Sequence, residues 1–188
     1  MVEHRFSSTA DPAAIGSSLA GVCVPEGLDI DALLGELATA LLAAGMRPAG
    51  LIQKRGKAKP GCACREMWVQ DLASGTRLNI SESRGDGARG CHLDWAALAQ
   101  ATVLVETSLQ SGTEVLIGRF GRAEAVGKGL AVAIATAVAA DMPVLVALRP
   151  GYAPAWRDYH GGMAAALPPD PTALAAWLCA VGDKTRAA

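Results

Sequence analysis

Two arginines, a lysine and one carboxylate stand among four glycines in the stretch Gly118 to Gly129, GRFGRAEAVGKG. Guanidinium forks match the oxygens of phosphate and related oxyanions. The apolar run Val115, Leu116, Ile117 ahead of this stretch reads as a strand, and an alanine-rich helix is predicted to begin near Lys128. A glycine-rich turn between a strand and a helix start binds anions. Its amides point at the ligand, and the helix dipole adds about 0.3–1 kcal/mol per charge. The expected anion-binding set is therefore Arg119, Gly121, Arg122, Gly127, Lys128 and Gly129. Arg84 and Arg89, from a second glycine-rich loop over Ser81 to His92, are expected to close over it. Glu124 reads in two ways: as an acid/base or metal-ligand group, or as a carboxylate stabilising a helix N-terminus.

A second constellation is made of thiols. Cys62-Ala63-Cys64 and Cys91-His92 could supply four soft ligands to a metal such as zinc. Their spacing is not the usual C-x-x-C pair. The alternative is free thiols, some with lowered pKa beside Lys59, Arg65 and Arg89. Cys23 and Cys179 lie in apolar segments and read as core residues. Trp68, Trp95 and Trp177 read as core anchors, whereas Trp156, close to the expected rim, could shield or stack on a ligand.

Some chemistries are absent. A P-loop requires G-x-x-x-x-G-K-[ST]. In Gly127-Lys128-Gly129 the hydroxyl residue is missing, and the segment after the first strand, VPEGLDID, has neither lysine nor Ser or Thr. There is no H-E-x-x-H motif, and nothing orients Ser81 and His92 as a nucleophile and base.

The elements that must position these groups alternate. Leu19 to Val24 reads as a strand. Ile30, Leu33, Leu34, Leu37 and Leu41 have helical spacing, ending at Gly45. Pro48 to Gln53 is a second strand, and Lys54 to Arg65, rich in Gly, Lys and Pro, an exposed loop. Glu66 to Leu72 and Thr76 to Ser81 form a hairpin around Ser74-Gly75. Asp94 caps a helix to about Leu109. Pro143 to Leu148 is a strand, Pro154 to Met163 a short helix, and Asp170-Pro171 opens the last helix. This is an α/β fold of three layers. A mostly parallel sheet carries helices on both faces and a β-hairpin insertion, placed at a sheet edge. Ligands of such sheets bind beyond the carboxyl ends of the strands. Residues 1–18 read as a flexible arm, 19–182 as one α/β domain and 183–188 as a frayed end.

Composition bounds the partners. The chain has 188 residues, a net charge of −1 and 19% charged residues. No basic field recruits nucleic acid. Five cysteines without a secretory signal read as a reduced, cytoplasmic protein. Asp141 interrupts the longest apolar region, so no membrane insertion is expected.

The segments RLNISESRGDGARGCHLDWAALA and GRFGRAEAVGKG resemble the bacterial family domain of unknown function 2478. The resemblance spans roughly Leu19 to Gly162. Its most specific pieces are Gly90-Cys91-x-Leu93-Asp94 and Arg119-Phe120-Gly121-x-x-Glu124-x-x-Gly127-x-Gly129. It implies kinship with P-loop nucleoside-triphosphatases and an association with molybdate transport and molybdenum metabolism. This chain departs from the family in carrying His92 where an arginine is favoured. In the related triphosphatases an acidic strand end helps to hold Mg²⁺; here the strand ends in Gly118-Arg119, and only Glu124 could supply a carboxylate. The leading expectation is a degenerate P-loop-like accessory protein. It would bind a nucleotide or an oxyanion (molybdate, tungstate or phosphate) without conventional ATP hydrolysis. The alternative is a metal-dependent nucleotide hydrolase or transferase using Glu124. Expected partners are a small anionic ligand and a second copy of the chain or a molybdenum-pathway protein.

Overall fold

The short apolar run LAGVC forms β1 (Leu19–Cys23), and the helix that follows, α1 (Ile30–Ala43), starts where Asp29 caps it. The chain returns as β2 (Pro48–Ala49), then turns at Gly50 into β3 (Leu51–Ala58). β4 (Arg65–Asp71) and β5 (Arg77–Asn79) form the expected hairpin, followed by the short pair β6 (Ser81–Glu82) and β7 (His92–Leu93). Then come α2 (Trp95–Leu109), β8 (Val115–Phe120), α3 (Ala131–Ala139), β9 (Val144–Leu148), α4 (Ala153–His160), β10 (Ala165–Leu167) and α5 (Pro171–Ala187). This computed structural model describes residues 17–58, 65–82 and 92–187.

Five strands make the central sheet, in the order β10-β1-β9-β8-β2, and every pairing is parallel. Side chains alternate across it, as the strand period of two requires. Ala20, Val22, Val115, Ile117, Leu145 and Ala147 join α1 and α5 in one core. Leu19, Leu116, Phe120, Val144, Val146 and Leu148 face α2, α3 and α4 in the other. The three-layer architecture is therefore the one read from the sequence. No helix among the described residues is long and apolar enough to cross a membrane.

Several boundaries differ from expectation. Residues 54–58 are not loop: β3 runs on to Ala58 and pairs antiparallel with β4. Its glycine and lysine content misled, because an exposed strand needs few apolar residues. Gly56 leaves the space that Trp68 fills, since an added Cβ would lie 3.0 Å from the indole Cδ1. The hairpin is not an edge addition but part of a separate three-stranded sheet, β3-β4-β5. β10 was not anticipated. Its alanine-rich run has poor strand propensity, and parallel pairing with β1 is what makes it extended. At the ends, Ser17 Oγ donates to the Met163 carbonyl at 2.6 Å, so this part of the expected arm is tied down. Helix α5 continues to Ala187, past the expected fraying point at Asp183.

Candidate functional site

Helix α1 leaves β1 toward one core and α4 leaves β9 toward the other, while β1 and β9 are neighbours. Their carboxyl ends form a topological switch point, where phosphates bind in related sheets. Here the corner is already filled. The Asp29 carboxylate accepts from the amides of Asp31 (2.9 Å) and Ala32 (3.3 Å) at the start of α1. Those are the amides an anion would otherwise take. Arg149 Nη1 donates to the carbonyls of Val24 (3.4 Å) and Pro25 (2.6 Å) and clasps the same loop.

The loop after β8 shows the same self-sufficiency. Glu124 opens one 3-10 turn, Glu124–Val126. Its Oε2 accepts from the Gly121 amide (2.9 Å) and its Oε1 from the Leu130 amide (3.0 Å), stapling both ends of the loop. Gly127 and Gly129 hold left-handed conformations, φ 73° and 57°. A side chain at Gly129 would overlap Glu124 Oε1. Two expectations change. The regular helix begins at Ala131 rather than near Lys128, and the loop amides at Gly121 and Leu130 are taken by the chain's own carboxylate. The Lys128 ammonium lies 4.5 Å from the Trp95 ring centroid, a cation–π contact at the start of α2.

Beside this loop, beneath the three-stranded sheet, lies a cleft of about 250 Å³. Arg119, Gly121, Arg122 and Glu124 line it; Gly127, Lys128 and Gly129 do not. Arg119 is not a free cation. Its Nη1 meets Asp31 Oδ2 at 3.2 Å and donates to Gln53 Oε1 at 2.7 Å. The guanidinium of Arg122 is exposed and has no side-chain partner among the described residues. Gln53 and Tyr152, which also line the cleft, were not anticipated. Gln53 begins the polar run Gln53-Lys54-Arg55 of β3, so no local pattern distinguishes it. Asp31 carried a faint signal, two residues beyond a helix cap.

Other expected site residues fall elsewhere. His92 is exposed in β7, opposite Glu82. Arg84, Arg89, Cys62, Cys64 and Cys91 lie outside the described residues. Among the described residues no group of three or more His, Cys, Asp or Glu gathers to hold a metal. Cys23 and Cys179 are half-buried, and burial pushes the Cys23 thiol pKa up.

Trp156 does not wait for a ligand. It is 6% exposed, packs at 5.1 Å from Phe120 and 5.8 Å from Tyr159, and fills the space where Gly21 has no side chain. Trp95, by contrast, is 38% exposed and is no core anchor. His160 closes α4 beneath Trp156. Its Nδ1 accepts from the amides of Gly162 (3.0 Å) and Ala164 (3.2 Å), which places the proton of the neutral ring on Nε2. Burial lowers its pKa, and a backbone hydrogen bond partly opposes the shift. The unfolded chain then binds this proton more tightly than the folded one, so stability falls as pH drops below about 6.5. Thermal melts between pH 5 and 7 should show this loss in the wild type and a flatter profile in His160→Asn; parallel profiles would refute it.

The chain matches the family described as Protein of unknown function (DUF2478) over residues 19–177. It belongs to that family. A relative from Bradyrhizobium diazoefficiens, named Molybdenum import ATP-binding protein ModC 2, is 35% identical over 150 residues. The match takes 79% of this chain but only 17% of that protein's length, so the chain corresponds to a small part of it. Two solved structures share the fold. A human cancer-related nucleoside triphosphatase superposes with TM-score 0.56 at 16% identity, over 80% of this chain and 87% of the other. THEP1 from Aquifex aeolicus gives TM-score 0.54 at 10% identity, over 81% and 90%. The DUF2478 chain thus shares the α/β fold of these two structures.

Proposed function

We propose that this DUF2478 chain is an accessory domain that binds a small anion, a nucleotide or an oxyanion, in molybdenum handling, and that it does not hydrolyse ATP by the conventional route. The observation that carries the reading is the polarity of the cleft. The side-chain polar groups there that have no partner among the described residues, the Arg122 guanidinium, the Gln53 amide nitrogen and the Tyr152 hydroxyl, all offer donors, so the complementary ligand is rich in acceptors. The capped start of α1 supports the second half of the proposal. Asp29 occupies the amides that would cradle a phosphate, and no lysine or hydroxyl residue stands in Val24 to Asp31. Glu124 has both oxygens engaged with backbone amides, which argues against its use as a metal ligand or base. The name of the Bradyrhizobium relative supports the molybdenum context.

Calorimetric titration with molybdate, tungstate, phosphate and ATP should show binding of at least one of them, reduced in Arg122→Gln. A phosphate-release assay with ATP and Mg²⁺ should show no turnover above that of a Glu124→Gln control. No heat at millimolar ligand would remove the binding reading, and turnover lost in that variant would restore an enzyme.

A further inference from the structure

We infer that the cleft admits a flat oxo-heterocyclic ring carrying a phosphate, a nucleoside monophosphate in kind, in preference to a bare inorganic oxyanion; this deepens the anion-binding reading and rests on it. The walls decide the matter. Met67, Val69 and Ile80 come from the three-stranded sheet and the strand residues following it, and Leu98 and Leu130 from α2 and the lead-in to α3. A tetrahedral oxyanion needs donors around all of its oxygens. In this cleft much of its surface would face hydrocarbon, and its oxygens would lose their hydrogen bonds to water without replacement. A planar ring has the opposite needs. Its faces pack on aliphatic carbon and on the polarisable Met67 thioether, and only its edge requires partners. At about 250 Å³ the cleft has more room than a five-atom ion fills.

Arg119 then has a positioning role. A guanidinium can only donate, so the Gln53 atom 2.7 Å from Arg119 Nη1 must be the carbonyl oxygen. Asp31 accepts from the same guanidinium nitrogen. The Gln53 amide nitrogen, without a partner among the described residues, would donate to a ring carbonyl, with the Tyr152 hydroxyl as a second reader and Arg122 at the phosphate. The sequence offered Arg119 as an anion ligand; the geometry makes it the residue that orients Gln53.

The test is calorimetric titration of the full chain with GMP, UMP, ribose 5-phosphate, inorganic phosphate and molybdate. GMP or UMP should bind at least about tenfold more tightly than ribose 5-phosphate, phosphate or molybdate, the discrimination expected of a site that reads a ring by hydrogen bonds and packing. Gln53→Glu keeps an acceptor for Arg119 but removes the donor, and should collapse the ratio of nucleotide to ribose 5-phosphate affinity toward one. Its thermal melt reports whether it is folded. Should that variant unfold, Tyr152→Phe tests the second reader and should reduce the same ratio. Phosphate or molybdate binding as tightly as the nucleotides would overturn the ring preference while leaving anion binding intact. No binding of any of the five would overturn both.

Discussion

Gly50→Ala is expected to lower the melting temperature by about 6–20 °C, through a loss of roughly 3–5 kcal/mol. Gly50 stands between β2, on the edge of the central sheet, and β3, the first strand over the cleft. Its φ of 137° lies outside the range that L side chains favour, and an added Cβ would overlap the Ile117 carbonyl of β8. Backbone strain alone is worth about 1–3 kcal/mol. The clash adds to it, because the obstacle is main chain of β8, held between β9 and β2, and cannot swing aside. Gly27→Ala makes the control. Gly27 also has positive φ, 95°, but nothing lies within 4 Å of an added Cβ, so strain of about 1 kcal/mol is the whole cost. Equal melting temperatures for the two variants would show that the crossing from one sheet to the other is loose enough to admit a side chain.

Glu124→Ala should cost about 3 kcal/mol, and about 6–12 °C in melting temperature. The substitution removes a charged acceptor from two amides at once, those of Gly121 and Leu130. Hydrogen bonds to charged groups are worth about 1.5–3 kcal/mol each, and two on one carboxylate are not independent. Hydrogen exchange should report the loss locally, as faster exchange at those two amides than at the neighbouring core strands. A second readout reports the lost charge itself. Burial first, and the Glu124 charge second, push the Tyr159 phenol pKa up. Ultraviolet titration of the folded variant should bring Tyr159 back toward its ordinary value. Unchanged exchange at Gly121 and Leu130 would mean that the carboxylate does not hold the loop.

The two rim loops explain why a plausible anion nest in the sequence is closed in the structure. Glycines, a strand end and a helix start are the ingredients of such a nest, and all are present in Gly118 to Gly129. Whether the amides stay open depends on side chains that can fold back. Asp29 and Glu124 do so, each satisfying backbone donors that would otherwise be orphaned. The cleft that remains is formed by residues brought from Leu51 to Tyr152, and no local pattern links Gln53 to Arg119 or Met67 to Leu130.

Periodicity and caps determined what could be read from the chain alone: three layers, a parallel sheet, the Asp94 and Asp170 helix starts, and the hairpin at Ser74-Gly75. These depend on which residues shun water and on turns spanning a few positions, so short stretches of chain encode them. The tertiary structure decided the rest. It set the extension of β3 beyond Gln53, the recruitment of β10 to the sheet edge, the burial of Trp156, and the turning of Arg119 toward Asp31 and Gln53. Each is a contact between segments far apart in sequence, and its strength comes from a partner that the local residues do not contain.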